Sequence, residues 1–74
     1  MKELELVALT QDLPEHGLVR GDIGTVVLVH GDGEGFEVEF TTLDGETVAV
    51  MTLESSLVRP INPMEIANAR KVAV

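Results

Sequence analysis

Apolar and polar positions alternate most strictly in Phe36-Glu37-Val38-Glu39-Phe40. A period of two puts Phe36, Val38 and Phe40 on a core-facing side of a strand and Glu37 and Glu39 in water. Leu4 to Thr10 and Thr47 to Leu53 also read as strands, but both faces of each are largely apolar. Ile23 to His30 is a continuous run rich in β-branched residues and bounded by turns, the pattern of a strand covered on both sides. Leu57-Val58-Arg59 is a brief fifth strand, ended by Pro60.

Glycines punctuate these runs. Gly17, Gly21 and Gly24, with Asp22 among them, predict a tight turn feeding the second strand, held by an Asp22 hydrogen bond to the backbone two residues on. They do not predict a phosphate cradle, because Gly-x-Gly-x-x-Gly and Gly-Lys-Ser/Thr are missing and a strand, not a helix, follows. Gly31-Asp32-Gly33-Glu34-Gly35 and Leu43-Asp44-Gly45-Glu46 are hairpin connections. Gln11 to Arg20 is a longer loop, and Glu54-Ser55-Ser56 a turn of 3₁₀ helix.

The tail differs in kind. Asn62-Pro63-Met64-Glu65 carries an N-cap, a proline at the first helical position and a glutamate three after the cap. The spacing of Ile66, Ala69 and Ala73 gives the helix one apolar face, and Arg70 and Lys71 suit its C-terminal end. Val72-Ala73-Val74 could alternatively pair as a strand. The expected architecture is therefore all-β: a small five-stranded SH3-like barrel over residues 1–61 and a short C-terminal helix over 62–74. Strands two and four have apolar residues to spare for an outer face, which needs a cover: the helix, a second copy or another protein.

Composition narrows the functional classes. A chain of 74 residues is one marginal domain. It has no cysteine, so it has neither disulfides nor thiolate metal sites, as suits the cytoplasm. No stretch has the pattern of a signal peptide or the length of a membrane span. Thirteen acids against five bases give a net charge of −8, which opposes a polyanion. With Phe36 and Phe40 as its two aromatics, the chain has little on which to stack bases.

Candidate chemistry is thin. The first loop offers Asp12, Glu15, His16 and Arg20, but at no recurring ligand spacing, so no metal or cofactor is expected. Asp32 and Glu34 lack the further oxygen ligands of a calcium loop. Glu37 and Glu39 lie about 7 Å apart at strand spacing, within the range of paired glycosidase carboxylates. Nothing predicts a cleft around them, and no enzyme is expected. These six residues (Asp12, Glu15, His16, Arg20, Glu37 and Glu39) are expected instead to meet a basic protein partner, with the acids Glu37, Glu39, Asp12 and Glu15 steering its approach.

Two segments in order, Asp12-Leu13-Pro14-Glu15-His16-Gly17-Leu18 and Arg20-Gly21-Asp22-Ile23-Gly24-Thr25-Val26-Val27, suggest a family. With Phe36 to Phe40, Asp44-Gly45-Glu46-Thr47 and Leu57-Val58-Arg59-Pro60, they resemble a family of short bacterial proteins, frequent in cyanobacteria, known as a domain of unknown function. The resemblance spans roughly residues 4 to 61. It implies an SH3-like barrel, no catalytic residues, and membership of a small two-component pair, as antidote or accessory subunit. Gly21 to Val26 is also similar to the turn of the photosystem I subunit that docks ferredoxin, and to the KOW segment of ribosomal and transcription proteins.

The leading expectation is thus a non-catalytic protein–protein interaction module in the cytoplasm, a homo-oligomer or part of a hetero-complex, with neither nucleic acid nor membrane as partner. The alternative is a KOW-like nucleic-acid-binding module, which requires Arg20, Arg59, Arg70 and Lys71 to gather into a basic cluster.

Overall fold

A computed structural model describes residues 1–72. The chain forms one five-stranded antiparallel sheet from β1 (Leu6–Leu9), β2 (Ile23–His30), β3 (Gly35–Thr41), β4 (Thr47–Glu54) and β5 (Val58–Pro60). Their order is β4-β3-β2-β1-β5. Short 3₁₀ turns at Pro14–His16 and Ser55–Leu57 precede β2 and β5.

The sheet bends around one core. Val7 and Leu9 of β1, Val26 of β2, Phe36, Val38 and Phe40 of β3, Leu53 of β4 and Val58 of β5 join a single buried cluster with Leu18 from the first loop. All five strands contribute, so the sheet is strongly curved. Its ladder, however, ends at β4 and β5 as two edges, and no pairing closes it into a barrel among the described residues. The end of β1 also binds the residues that lead into both of its neighbours: Leu9 donates to the Asp22 carbonyl and accepts from the Gly21 N–H, just before β2, while Thr10 donates to the Leu57 carbonyl, just before β5.

Three expectations need correction. The first strand starts at Leu6, not Leu4, because the chain turns at Lys2–Glu5 with Leu4 in the left-handed region. The second strand is not covered on both sides. A bulge between Val26 and Leu28 changes its register: Val26 and Val29 pair with the core residues Val38 and Phe36, and Leu28 pairs with outward-facing Glu37. Its unbroken apolar run is one core face plus a bulge and a half-open outer face, as a bulge's extra residue and added twist allow.

The third correction is the tail, which forms no C-terminal helix among the described residues. The capping chemistry forms: Asn62 Oδ1 accepts the Met64 N–H, and Glu65 Oε1 accepts the Asn62 N–H. The helix does not follow it. One turn closes at Asn62–Glu65, and the chain then runs on without regular structure to Val72. So short a helix needs a surface to pack on, and Met64 and Ile66 remain almost fully exposed. A strand at the extreme C-terminus would lie largely outside the described residues, and Val72 belongs to none.

Candidate functional site

The first loop is more ordered than its polar sequence suggests. Leu13 and Leu18 exchange backbone hydrogen bonds of 2.9 and 3.2 Å around the 3₁₀ turn. Gly17 leaves that turn at φ 68°, a conformation that costs glycine little. Leu18 then drops into the core at 3% exposure and anchors the loop. Asp12 Oδ1 accepts the Arg20 N–H at 2.9 Å, tying the two ends together.

This arrangement brings Asp12, Glu15 and His16 to one open cleft of about 310 Å³ between the loop and β4, where Met51, Thr52 and Leu53 form the far wall. Arg20 reaches the group through its backbone, with its side chain exposed. The three β4 residues were not foreseeable, since nothing local ties β4 to a loop some 35 residues earlier in the chain.

Glu37 and Glu39 lie on the outer face of β3, only partly exposed and so less fully in water than their alternation suggests. Glu37 stands between Leu28 and Thr52 in the ladder, and Glu39 between Thr25 and Val50. Each carboxylate has a named neighbour: His30 Nε2 lies 3.3 Å from Glu37 Oε2, and Thr47 Oγ1 donates to Glu39 Oε2 at 2.8 Å. Leu28 and Val50 are 43% and 51% exposed. Two carboxylates therefore sit between two open aliphatic side chains. Because Thr52 pairs with Glu37 and also lines the cleft, the acidic face and the loop cleft adjoin along β4.

A second polar cluster was missed at the glycine turn. Asp22 holds that turn from the opposite direction to the one expected, accepting the Val19 N–H three residues back at 2.9 Å. Both of its oxygens also receive the guanidinium of Arg70, whose Nη2 additionally donates to the Gly17 carbonyl at 3.1 Å. Burial alone would push the Asp22 carboxyl up, but the Arg70 hydrogen bond, the Val19 N–H and the charge of Arg70 outweigh it and hold the group below its ordinary value. At the other end of the tail, Arg59 forks onto Glu65 with two contacts of 2.7 Å. That hydrogen-bonded pairing, with the Asn62 N–H, lowers the Glu65 carboxyl to about 2. No sequence signal pairs residues 48 apart such as Asp22 and Arg70.

Among the described residues, no three His, Asp or Glu side chains converge to hold a metal ion, and no helix is long and apolar enough to cross a membrane. The model of the DUF4926 family, a domain of unknown function, matches residues 3–60, and the chain belongs to that family. No curated protein and no solved structure matches it.

Proposed function

We propose that this member of the DUF4926 family is a non-catalytic protein–protein interaction module that holds a basic partner against the outer face of β2, β3 and β4. The observation that carries this reading is the placing of Glu37 and Glu39 between exposed Leu28 and Val50. Apolar side chains supply contact area and the carboxylates supply orientation, a combination suited to a partner with lysine or arginine set among apolar residues. Asp12, Glu15 and His16 extend the same surface past Thr52. The antiparallel strand order, with a 3₁₀ turn before β5, supports reading the curved sheet as an SH3-like barrel. The acidic balance suits an antidote or accessory subunit of a cytoplasmic two-component pair.

The nucleic-acid alternative draws less support. Two of its four basic residues, Arg59 and Arg70, are engaged by Glu65 and Asp22. The interaction reading is tested by co-purification from the protein's own cells at low salt, with light scattering for the mass of the complex. A stoichiometric basic protein that is retained by the native chain and lost with Glu37→Lys/Glu39→Lys is the expected result. Recovery of the chain alone, or a partner indifferent to both substitutions, refutes it.

A further inference from the structure

The tail occupies a site that fits a different guanidinium. Its two pins, Arg59–Glu65 and Arg70–Asp22, hold residues 61–70 beside a groove of about 190 Å³. Ala8, Gly21, Ile23 and Ile61 line that groove, with Glu65 to Asn68 of the tail along it. Ile23 continues into the outer face through Thr25, the ladder neighbour of Glu39.

The receiving end is built without the tail. Gly17 and Gly21 have φ of 68° and 92°. The Val19 N–H orients the Asp22 carboxylate, and the turn leaves the Gly17 carbonyl beside it. Three acceptors thus meet a planar fork, which arginine satisfies and lysine does not. The Asp22 side chain is only 15% exposed with Arg70 on it. The tail itself is lightly held: Met64 and Ile66 are 90% and 93% exposed, so its apolar side chains contribute little, and its second pin, Arg59–Glu65, is a solvent-accessible ion pair of the weak kind.

We propose that the Asp22–Gly17 turn is an arginine-docking site occupied in cis by Arg70, and that an arginine on an extended segment of the basic partner displaces the tail from it. This rests on the interaction reading above. It adds to that reading the residue the partner must present and the element that must leave.

The test uses the full chain, ¹⁵N-labelled, as native protein and as Arg70→Ala. The probe is a synthetic peptide with the sequence of residues 61–72. In the Arg70→Ala chain the amides of Gly17 to Gly24 shift on titration, whereas the native chain needs about ten-fold more peptide because its own tail competes. The peptide carrying Arg70→Ala shifts neither. Equal responses of the two chains, no response from Arg70→Ala, or shifts that spare Gly17 to Gly24 overturn the proposal. So does a native dimer, seen by light scattering, that Arg70→Ala dissolves, since the occupant is then a second copy's tail. A co-purified partner should bind Arg70→Ala about ten-fold tighter than the native chain. Equal binding refutes the displacement and leaves the interaction reading standing. If no partner exists the interaction reading fails, while the peptide titration still decides whether the turn is an arginine site.

Discussion

Gly24→Ala tests why the glycine turn runs into β2 as it does. Unlike Gly17 and Gly21, Gly24 does not have a positive φ. It is a buried strand residue paired with Val7, and its importance is steric. A Cβ there would lie 2.6 Å from Val38 Cγ1, and 2.9 and 3.0 Å from two ring carbons of Phe40. Ordinary contact between carbons is about 3.5–4.0 Å, so the Val38 methyl must retreat by close to an ångström. It has nowhere easy to go, because Val38 is wholly buried between Val26 and Met51 in the ladder.

Overpacking of this kind costs about 1–3 kcal/mol. Alanine's conformational advantage over glycine in a strand returns roughly 0.5–1 kcal/mol of that. We expect a net loss near 1–2 kcal/mol, which for a domain this small lowers Tm by about 4–16 °C. The assay is urea unfolding followed by circular dichroism, with thermal melts alongside. A double-mutant cycle with Val38→Ala separates clash from other causes: the pair should be less destabilised than the sum of the singles, since removing Cγ1 clears the shortest contact. Gly24→Ala at native stability, or strict additivity in the cycle, refutes the close-packing account.

Leu9→Ala should cost about 2–5 kcal/mol by unfolding, because Leu9 is 1% exposed within the core cluster, while Leu43→Ala, at a fully exposed position, should change stability negligibly. Asp12→Ala removes the acceptor of the Arg20 N–H and should cost roughly 0.5–1.5 kcal/mol, read as faster proteolytic nicking between Gln11 and Arg20. The tail pins should be acid-labile. Glu65 sits at about 2 against an ordinary 4.5, and Asp22 also lies below its ordinary value of 3.8. A depressed carboxyl contributes its full stabilisation above the unfolded value and loses it as pH falls through the folded one. The stability difference between the native chain and Arg59→Ala/Arg70→Ala should therefore hold down to about pH 5 and vanish toward pH 2; a difference unchanged at pH 2 refutes the assignment.

What could be read from the sequence followed how local the controlling interaction was. β2 begins and ends at Ile23 and His30 as the turn signals indicate, and β3 points Phe36, Val38 and Phe40 inward as their alternation requires. Val26 to Val29 hid the bulge, because four apolar residues in a row carry no mark of which one leaves the ladder. Leu18 looked like a loop residue among Gly17, Val19 and Arg20, yet it is the loop's anchor in the core. The tail's capping residues announced a helix start correctly at the level of two hydrogen bonds. Whether a helix followed depended on a surface to receive Ile66 and Ala69, and on an Arg70–Asp22 contact across 48 residues. No pattern within the tail encodes either. The six candidate residues fall into two groups for the same reason: Asp12, Glu15, His16 and Arg20 share a loop, Glu37 and Glu39 share a strand, and only the β4 ladder joins them.

Salt separates steering from displacement. Steering should weaken as ionic strength rises, since exposed charges more than about 10 Å apart are largely screened at 0.1 M. The two differ in what happens at Asp22. When a partner's arginine displaces Arg70, one guanidinium–carboxylate pair replaces another, and the local ion balance hardly changes. In Arg70→Ala the same pair forms anew on a carboxylate that had been surrounded by water and counterions. The salt dependence of partner binding should then be steeper in Arg70→Ala than in the native chain, by about the contribution of one ion pair, although the variant binds more tightly at low salt. The two affinities should converge as salt is raised, because salt also releases the native tail and removes its competition. Parallel salt dependences would mean that Arg70 never leaves Asp22 when the partner binds, and the partner's basic residues would then have to be met elsewhere, at Glu37 and Glu39 or in the loop cleft.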